Sequence, residues 1–371
     1  MQEELSSSHV GVVVIGRNEG ERLVQCLRSV AMAPCAVVYV DSGSIDGSVD
    51  RAAELGVDVV VEASPPPFCA ARARNDGFRR LRDRRGEELR YVQFVDGDCE
   101  MDPRWIDRAA RFLEERPDVG VVCGRVRERH PERSVYNRLA DMEWAGPPGD
   151  IEACGGNAMV RVQAFLEAGE FDADLIAGEE PELHLRVRRA GYRIWRLEHE
   201  MVLHDIAMES FAHWWRRSVR AGHAYAEAAR LHGHEPERFR VRELASIVAW
   251  GGALPLASLA LAPPTLGASL AMMALGYGRL WLRVYKRTRP RRGAAEAALY
   301  AASCTVGKLA QMQGVAQYTW NRLVLGREGQ LIEHKREARH SSRASTLPKL
   351  ARQPGMAAPS ADSVAETSST E

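Results

Sequence analysis

The first third of the chain alternates short apolar runs with amphipathic stretches. Residues 10–15, 36–40, 57–61, 91–95 and 119–123 are Val-rich runs of strand length. Between them, residues 19–31 place Leu23, Leu27, Val30 and Ala31 at helical spacing. Residues 46–55, with Gly56 as a stop, and residues 70–84 and 103–115 read as three more helices. This βαβ rhythm predicts a mostly parallel, doubly wound sheet flanked by helices. Ligands of such sheets sit at the carboxyl ends of the strands, so the polar residues just past each strand are the ones to weigh.

Beyond residue 134 the rhythm loosens. A helix at 134–144, a Gly-Pro link at 146–149, a strand at 157–162, a helix at 181–190, a strand at 192–197 and a helix from 209 read as an α+β completion of the same domain. Residues 244–278 then carry no charged side chain and are broken by Pro263-Pro264. Each arm is near the lower limit of about 17 residues for a crossing helix. The pattern predicts a membrane hairpin or re-entrant anchor, with a buried helical pair as the alternative. Arg279, Arg283, Lys286, Arg287, Arg289, Arg291 and Arg292 follow it, as a cytoplasmic return requires. Residues 294–325, with Glu296 and Lys308, read as amphipathic. The expected division is a tail at 1–8, a catalytic domain at 9–235, a membrane hairpin with amphipathic helices at 240–330, and a disordered Ser/Ala/Pro/Thr-rich tail at 336–371.

Composition narrows the function classes. The chain has 371 residues, 45% of them hydrophobic, enough for one large or two ordinary domains. Its 50 basic and 50 acidic residues cancel, which excludes a global nucleic-acid signature. Arg72, Arg74, Arg79, Arg80, Arg82, Arg84 and Arg85 crowd one predicted helix and read first as a solvated face. The seven cysteines form no Cys-x-x-Cys pair and are expected to be reduced thiols. The N-terminal residues lack a basic and an apolar signal region, so the catalytic half is expected in the cytoplasm.

The chemistry gathers after the strands. Asp96-Gly97-Asp98 follows the fourth predicted strand, and hard divalent cations take carboxylate oxygens together with substrate phosphates. A polar turn is the plain alternative. Gly16-Arg17-Asn18-Glu19 ends the first strand, and Asp41-Ser42-Gly43-Ser44 ends the second, where an N-cap or Asx-turn is the plain alternative for Asp41. Arg74-Asn75-Asp76-Gly77 and Gly178-Glu179-Glu180-Pro181-Glu182 follow downstream. No Gly-x-Gly-x-x-Gly follows the first strand, and no Walker A lysine motif is present.

In order and spacing these segments resemble the family 2 glycosyltransferases of the GT-A fold, over roughly residues 9 to 225. The resemblance implies an α/β, Rossmann-like, mostly parallel sheet followed here by a hydrophobic helical region. It implies a nucleotide-sugar donor (UDP- or GDP-), with Gly16, Asn18, Glu19, Asp41, Arg74 and Asp96 around the nucleotide. It implies Mg²⁺ or Mn²⁺ on Asp98, with Asp96 and His204 completing the site. Glu180 matches the position of the catalytic base, usually Asp, with Glu179 and Glu182 as alternatives. The Gln-x-x-Arg-Trp motif of processive members is absent, and His213-Trp214-Trp215-Arg216-Arg217 takes its place, with Arg216 or Arg217 reaching the diphosphate. Single-sugar transfer with inversion follows, to a lipid-linked or glycan acceptor at the cytoplasmic membrane face. A catalytically degenerate module serving as a membrane-tethered scaffold is the alternative.

Overall fold

The computed structural model describes residues 9–62 and 68–326. The tails expected at 1–8 and 336–371 lie outside the described residues. Strand β1 (Val10–Gly16) pairs in parallel with β2 (Ala36–Asp41) and β4 (Tyr91–Asp96), and β2 with β3 (Asp58–Val61). Helices α1 (Glu21–Val30), α2 (Ser48–Glu54) and α3 (Ala70–Arg85) make the connections. Val10, Val12, Val13 and Val14 are all fully buried, as expected of a parallel strand covered on both faces.

The second half of the sheet departs from the expected parallel pattern. After α4 (Trp105–Glu115) come β6 (Val119–Glu128), α5 (Val135–Trp144), β8 (Ala158–Arg161), α6 (Val162–Glu167), α7 (Glu179–Arg189) and β9 (Arg193–His204). Strand β8 runs antiparallel to β4 and to β6, while β6 and β9 are parallel. Two short strands, β5 (Cys99–Met101) and β7 (Gly149–Asp150), each pair antiparallel with β9. The order is therefore β3-β2-β1-β4-β8-β6-β9-β5, parallel in its first half and mixed beyond.

Helix α3 shows how docking sets the site. A Cβ at Gly77 would lie 2.3 Å from Val13 Cγ1, so this helix approaches the sheet closer than any side chain permits. One turn earlier, that approach carries Arg74 over the strand ends. The Arg-rich face divides accordingly. Arg80 and Arg84 pair with Asp58, and Arg79 with Asp76 and Glu170, at the surface. Arg74 is buried.

The C-terminal helices begin with α8 (Phe211–His232). A helical run over Val241–Ala260, α9, contains a π-turn at Val248–Ala253. Among the described residues it is the one helix long and apolar enough to cross a membrane. A turn over 261–267 leads into α10 (Ala268–Arg292). The two pack as a pair of helices: Ser269 Oγ donates to the Ser258 carbonyl at 2.7 Å, and Tyr277 Oη to the Trp250 carbonyl at 2.7 Å. Leu256, Leu259, Met272 and Leu275 are each about 60–70% exposed. Helix α11 (Ala294–Leu323) returns along α8 and α10. All described residues belong to one compact unit, with no division at 235–240.

Candidate active site

The register of the parallel strands brings the expected loops together. Gly16 is aligned with Asp41, and Ile15 with Asp96, so three polar strand ends lie side by side. Asn18 adopts a left-handed backbone, φ 56°, and stitches the first loop to the second. Its N–H donates to Ser44 Oγ at 2.9 Å, and its Oδ1 accepts from the Ile45 N–H at 2.8 Å. Asp41 accepts from Tyr39 Oη and from the Ser44 N–H, both at 2.7 Å. Burial, then the Asp41 charge, pushes the Tyr39 phenol up, so it stays a donor. Through the Ser44 N–H, three residues on, Asp41 closes the loop that follows β2. Glu19 is buried and ion-paired with Arg22 at 2.6 Å.

At the fourth strand end the Gly97 N–H donates to the Ile15 carbonyl at 2.8 Å, and a Cβ there would stand 3.1 Å from that oxygen. Glycine here lets two backbones meet, a more local reason than ligand approach. On either side of it the two aspartates point to different partners. Asp96 Oδ1 accepts from Arg74 Nη2 at 3.0 Å. Asn157 Oδ1 accepts from the Asp96 N–H, and Asn157 Nδ2 donates to Asp96 Oδ2 at 3.3 Å. Asp98, buried where Asp96 is only half-buried, lies 3.2 Å from His204 Nε2.

Arg74 is the hub of a carboxylate cluster. Its Nη1 donates to Glu179 Oε1 at 3.0 Å, and its Nη2 lies 3.4 Å from Glu180 Oε1. Burial pulls against its charge, but Asp96, Glu180 and Glu179 outweigh that and hold it firmly protonated. Helix α7 starts at Glu179, two residues before the expected start, so Pro181 sits inside its first turn, where a proline is tolerated. Gly178, with φ 79°, makes the sharp entry that turns both glutamates back over the strands. The Glu180 carboxyl is pushed up to about 7, first by burial and then by the Glu179 charge, with Arg74 opposing. A carboxylate near 7 is poised for proton abstraction at neutral pH.

His204 is the last residue of β9, which runs seven residues past its expected end. The ring stacks on Trp144, with centroids 4.6 Å apart and planes within 7°. Asp98, Cys99 and His204 bring one donor atom each within 4.8 Å of one another. Burial, followed by the Asp98 and Asp96 charges, pushes the Cys99 thiol well up, so it stays protonated and makes a poor ligand. One carboxylate oxygen and one imidazole nitrogen remain. They fit a divalent cation that takes its other ligands from water and phosphate.

Other expectations fare differently. Glu182 is salt-bridged to Arg186 at 2.6 Å and to His232 at 3.0 Å, away from the Arg74 cluster. Arg217 does not join the cluster either: it pairs with Glu143 at 2.6 Å. Trp214 is buried, packing beside Tyr136 and Phe211. Three residues were missed. Asn157 braces Asp96. Buried Glu128 accepts from the Ile206 N–H at 3.2 Å and so holds the turn after His204. Gly156 lies against the Arg74 guanidinium, where a Cβ would come within 2.0 Å of Nη2. The Gly155-Gly156-Asn157 run before a strand was the available signal, because glycine there marks close backbone approach.

Comparison with known proteins agrees with this geometry. Residues 11–166 match the family model "Glycosyl transferase family 2". The computed structure aligns with the mannosyltransferase PcManGT from Pyrobaculum calidifontis, solved in complex with GDP-Man and Mn²⁺. The TM-score is 0.59 at 21% identity, covering 85% of this chain and 88% of that one, a likeness of fold. The fold is of the GT-A type, with carboxylates at its strand ends. Residues 11–166 belong to glycosyltransferase family 2. Among curated relatives, the glycosyltransferase AglE of Haloferax volcanii is 24% identical over 200 residues. The succinoglycan biosynthesis protein ExoA of Rhizobium meliloti is 26% identical over 204. These matches cover 50% and 52% of this chain and 63% and 62% of those proteins, a little under two thirds of their length.

Proposed function

We propose that the chain is a metal-dependent, inverting transferase that moves one sugar from a UDP- or GDP-sugar to an acceptor hydroxyl at the cytoplasmic membrane face, in polysaccharide or glycolipid synthesis. The observation that carries this reading is the placement of Asp98 beside His204, 3.2 Å apart, with Asp98 two residues along the chain from an Asp96 tied through Arg74 to Glu180. A donor site and a base thus share one wall.

Asp98 and His204 would hold Mg²⁺ or Mn²⁺, which when bound neutralises charge on the departing diphosphate. Asp41, Asn18 and Gly16 are suited to flank the nucleotide. Glu180 takes the proton of the acceptor hydroxyl. The acceptor oxygen bonds to the anomeric carbon as the bond to the diphosphate oxygen breaks, and that electron pair leaves with the nucleoside diphosphate. Arg74 keeps Glu180 in place through the transfer. The exposed apolar hairpin supports the membrane assignment.

A panel of UDP- and GDP-sugars, titrated with and without Mn²⁺, tests the donor. One nucleotide-sugar is expected to bind and be hydrolysed only with the metal. Asp98→Asn should abolish this, by about 10²-fold or more, while the protein still melts cooperatively. An unchanged rate in Asp98→Asn removes the metal role.

A further inference from the structure

Beside the carboxylate cluster lies a cavity of about 630 Å³. Gly178 and Pro181, the residues bracketing Glu179 and Glu180, line it. So does Glu143, whose neighbour Trp144 stacks on His204. The cavity is thus lined by chain neighbours of both halves of the site. Its charge is lopsided: Arg217, Arg220 and Arg240 line it against the single carboxylate of Glu143. Glu143 is committed to Arg217, Arg220 donates to the Ile176 carbonyl, and Arg240 pairs with Glu243 at 3.1 Å while lying over the rings of Tyr225 and Phe239. The remaining wall is aromatic or small, with Trp214 from α8 and Tyr300 and Ser303 from α11. Helix α11 also packs against α10 of the exposed apolar hairpin.

We propose that this cavity is the acceptor site and that it takes a phosphate-bearing lipid. The phosphate lies among the arginines, the apolar chain follows the aromatic wall toward the hairpin, and the reacting hydroxyl of the lipid-linked acceptor meets Glu180. The proposal rests on Glu180 acting as the base. Three guanidinium groups beside aromatic rings give a neutral glycan little in return for their desolvation. A water-soluble sugar phosphate would leave the aromatic wall unused.

Titration calorimetry on the full-length chain in detergent, with farnesyl phosphate, farnesol and inorganic phosphate, tests this. Farnesyl phosphate should bind about 10-fold tighter than either other probe, or better. Ser303→Phe, which fills the cavity, should weaken it by about 10-fold or more. Arg240→Gln, a gentler change, should do the same if Ser303→Phe fails to melt cooperatively. Inorganic phosphate matching farnesyl phosphate overturns the lipid assignment in favour of a free phosphate ligand. Farnesol matching it overturns the anionic one, and unaltered affinity in both variants overturns the site. Parallel titration with GDP and UDP plus Mn²⁺ keeps the two readings apart. Lost nucleotide binding with intact lipid binding sinks the donor reading, and the reverse sinks this one.

Discussion

Glu180 shares a helical turn with Glu179 and a guanidinium with Asp96, and its carboxyl sits near 7 because burial and Glu179 outweigh Arg74. A base works deprotonated, so kcat/KM should rise with pH through about 7 and level off above it. In Glu180→Gln that limb should vanish along with about 10²- to 10⁴-fold of rate, while donor binding stays; a surviving limb would move the base to Glu179. The same shift has a stability consequence of opposite sense. The native carboxyl holds its proton more tightly than the unfolded one. Its contribution is thus present below the ordinary carboxylate range and lost as pH rises through about 7. Thermal melts of Glu180→Gln should therefore be flatter between pH 5 and 8 than those of the wild type. Arg74→Lys keeps the charge but loses the fork that spans three carboxylates, and about 10²-fold of kcat should go with it, more than any change in donor KM. The aspartates and glutamates were legible as residues because carboxylates just after apolar strands cannot enter the core. Asn157 and Gly156 were not, since their roles exist only where a loop some 60 positions downstream of Asp96 folds back onto it.

At the level of elements, strands β1 to β4 and β6 and their helices were readable because strands packed between helices are continuous apolar runs. Strand β5 was not: three residues are too few to show a period, and its existence depends on the far end of β9. The extension of β9 to His204 is hidden for a related reason, because its outer half is exposed and polar on one side. Helix α10 carries a different kind of message. Seven cations and no acid lie between Arg279 and Arg292, and among the described residues Arg279, Arg283, Lys286, Arg287 and Arg291 make no ion pair. An anionic surface would complete them at about 1 kcal/mol per cation. Vesicles containing phosphatidylglycerol should bind the full-length chain more tightly than phosphatidylcholine vesicles, and raising the salt should erase most of the difference. Equal binding to both would remove the α10 cations as a contact for an anionic surface.

The molecule as a whole is less modular than its sequence. A catalytic domain ending near 235 is a natural reading of the composition, yet the helices after it are fitted to those before it. A Cβ at Gly222 of α8 would come within 1.9 Å of the Gln311 carbonyl oxygen, and one at Gly314 of α11 within 1.9 Å of the Val219 oxygen. Gly251 of α9 meets the Lys308 oxygen in the same way, at 2.1 Å. Backbone packs on backbone at all three crossings. Gly314→Leu should therefore cost about 1–3 kcal/mol or more, read as a fall in melting temperature, because no rotamer relieves a clash with main chain. These contacts escape a linear reading because each glycine looks like any other in a helix until its partner arrives from many turns away along the chain.

Those crossings bear on how such an enzyme is inherited and disposed of. An anchor joined by a loose linker can be traded between lineages or clipped by a protease, and the enzyme survives the loss. Here the last described helix, α11, is interleaved with α8, backbone against backbone. Parting them means unfolding rather than release, and selection acts on where the protein works and how well it folds as one trait.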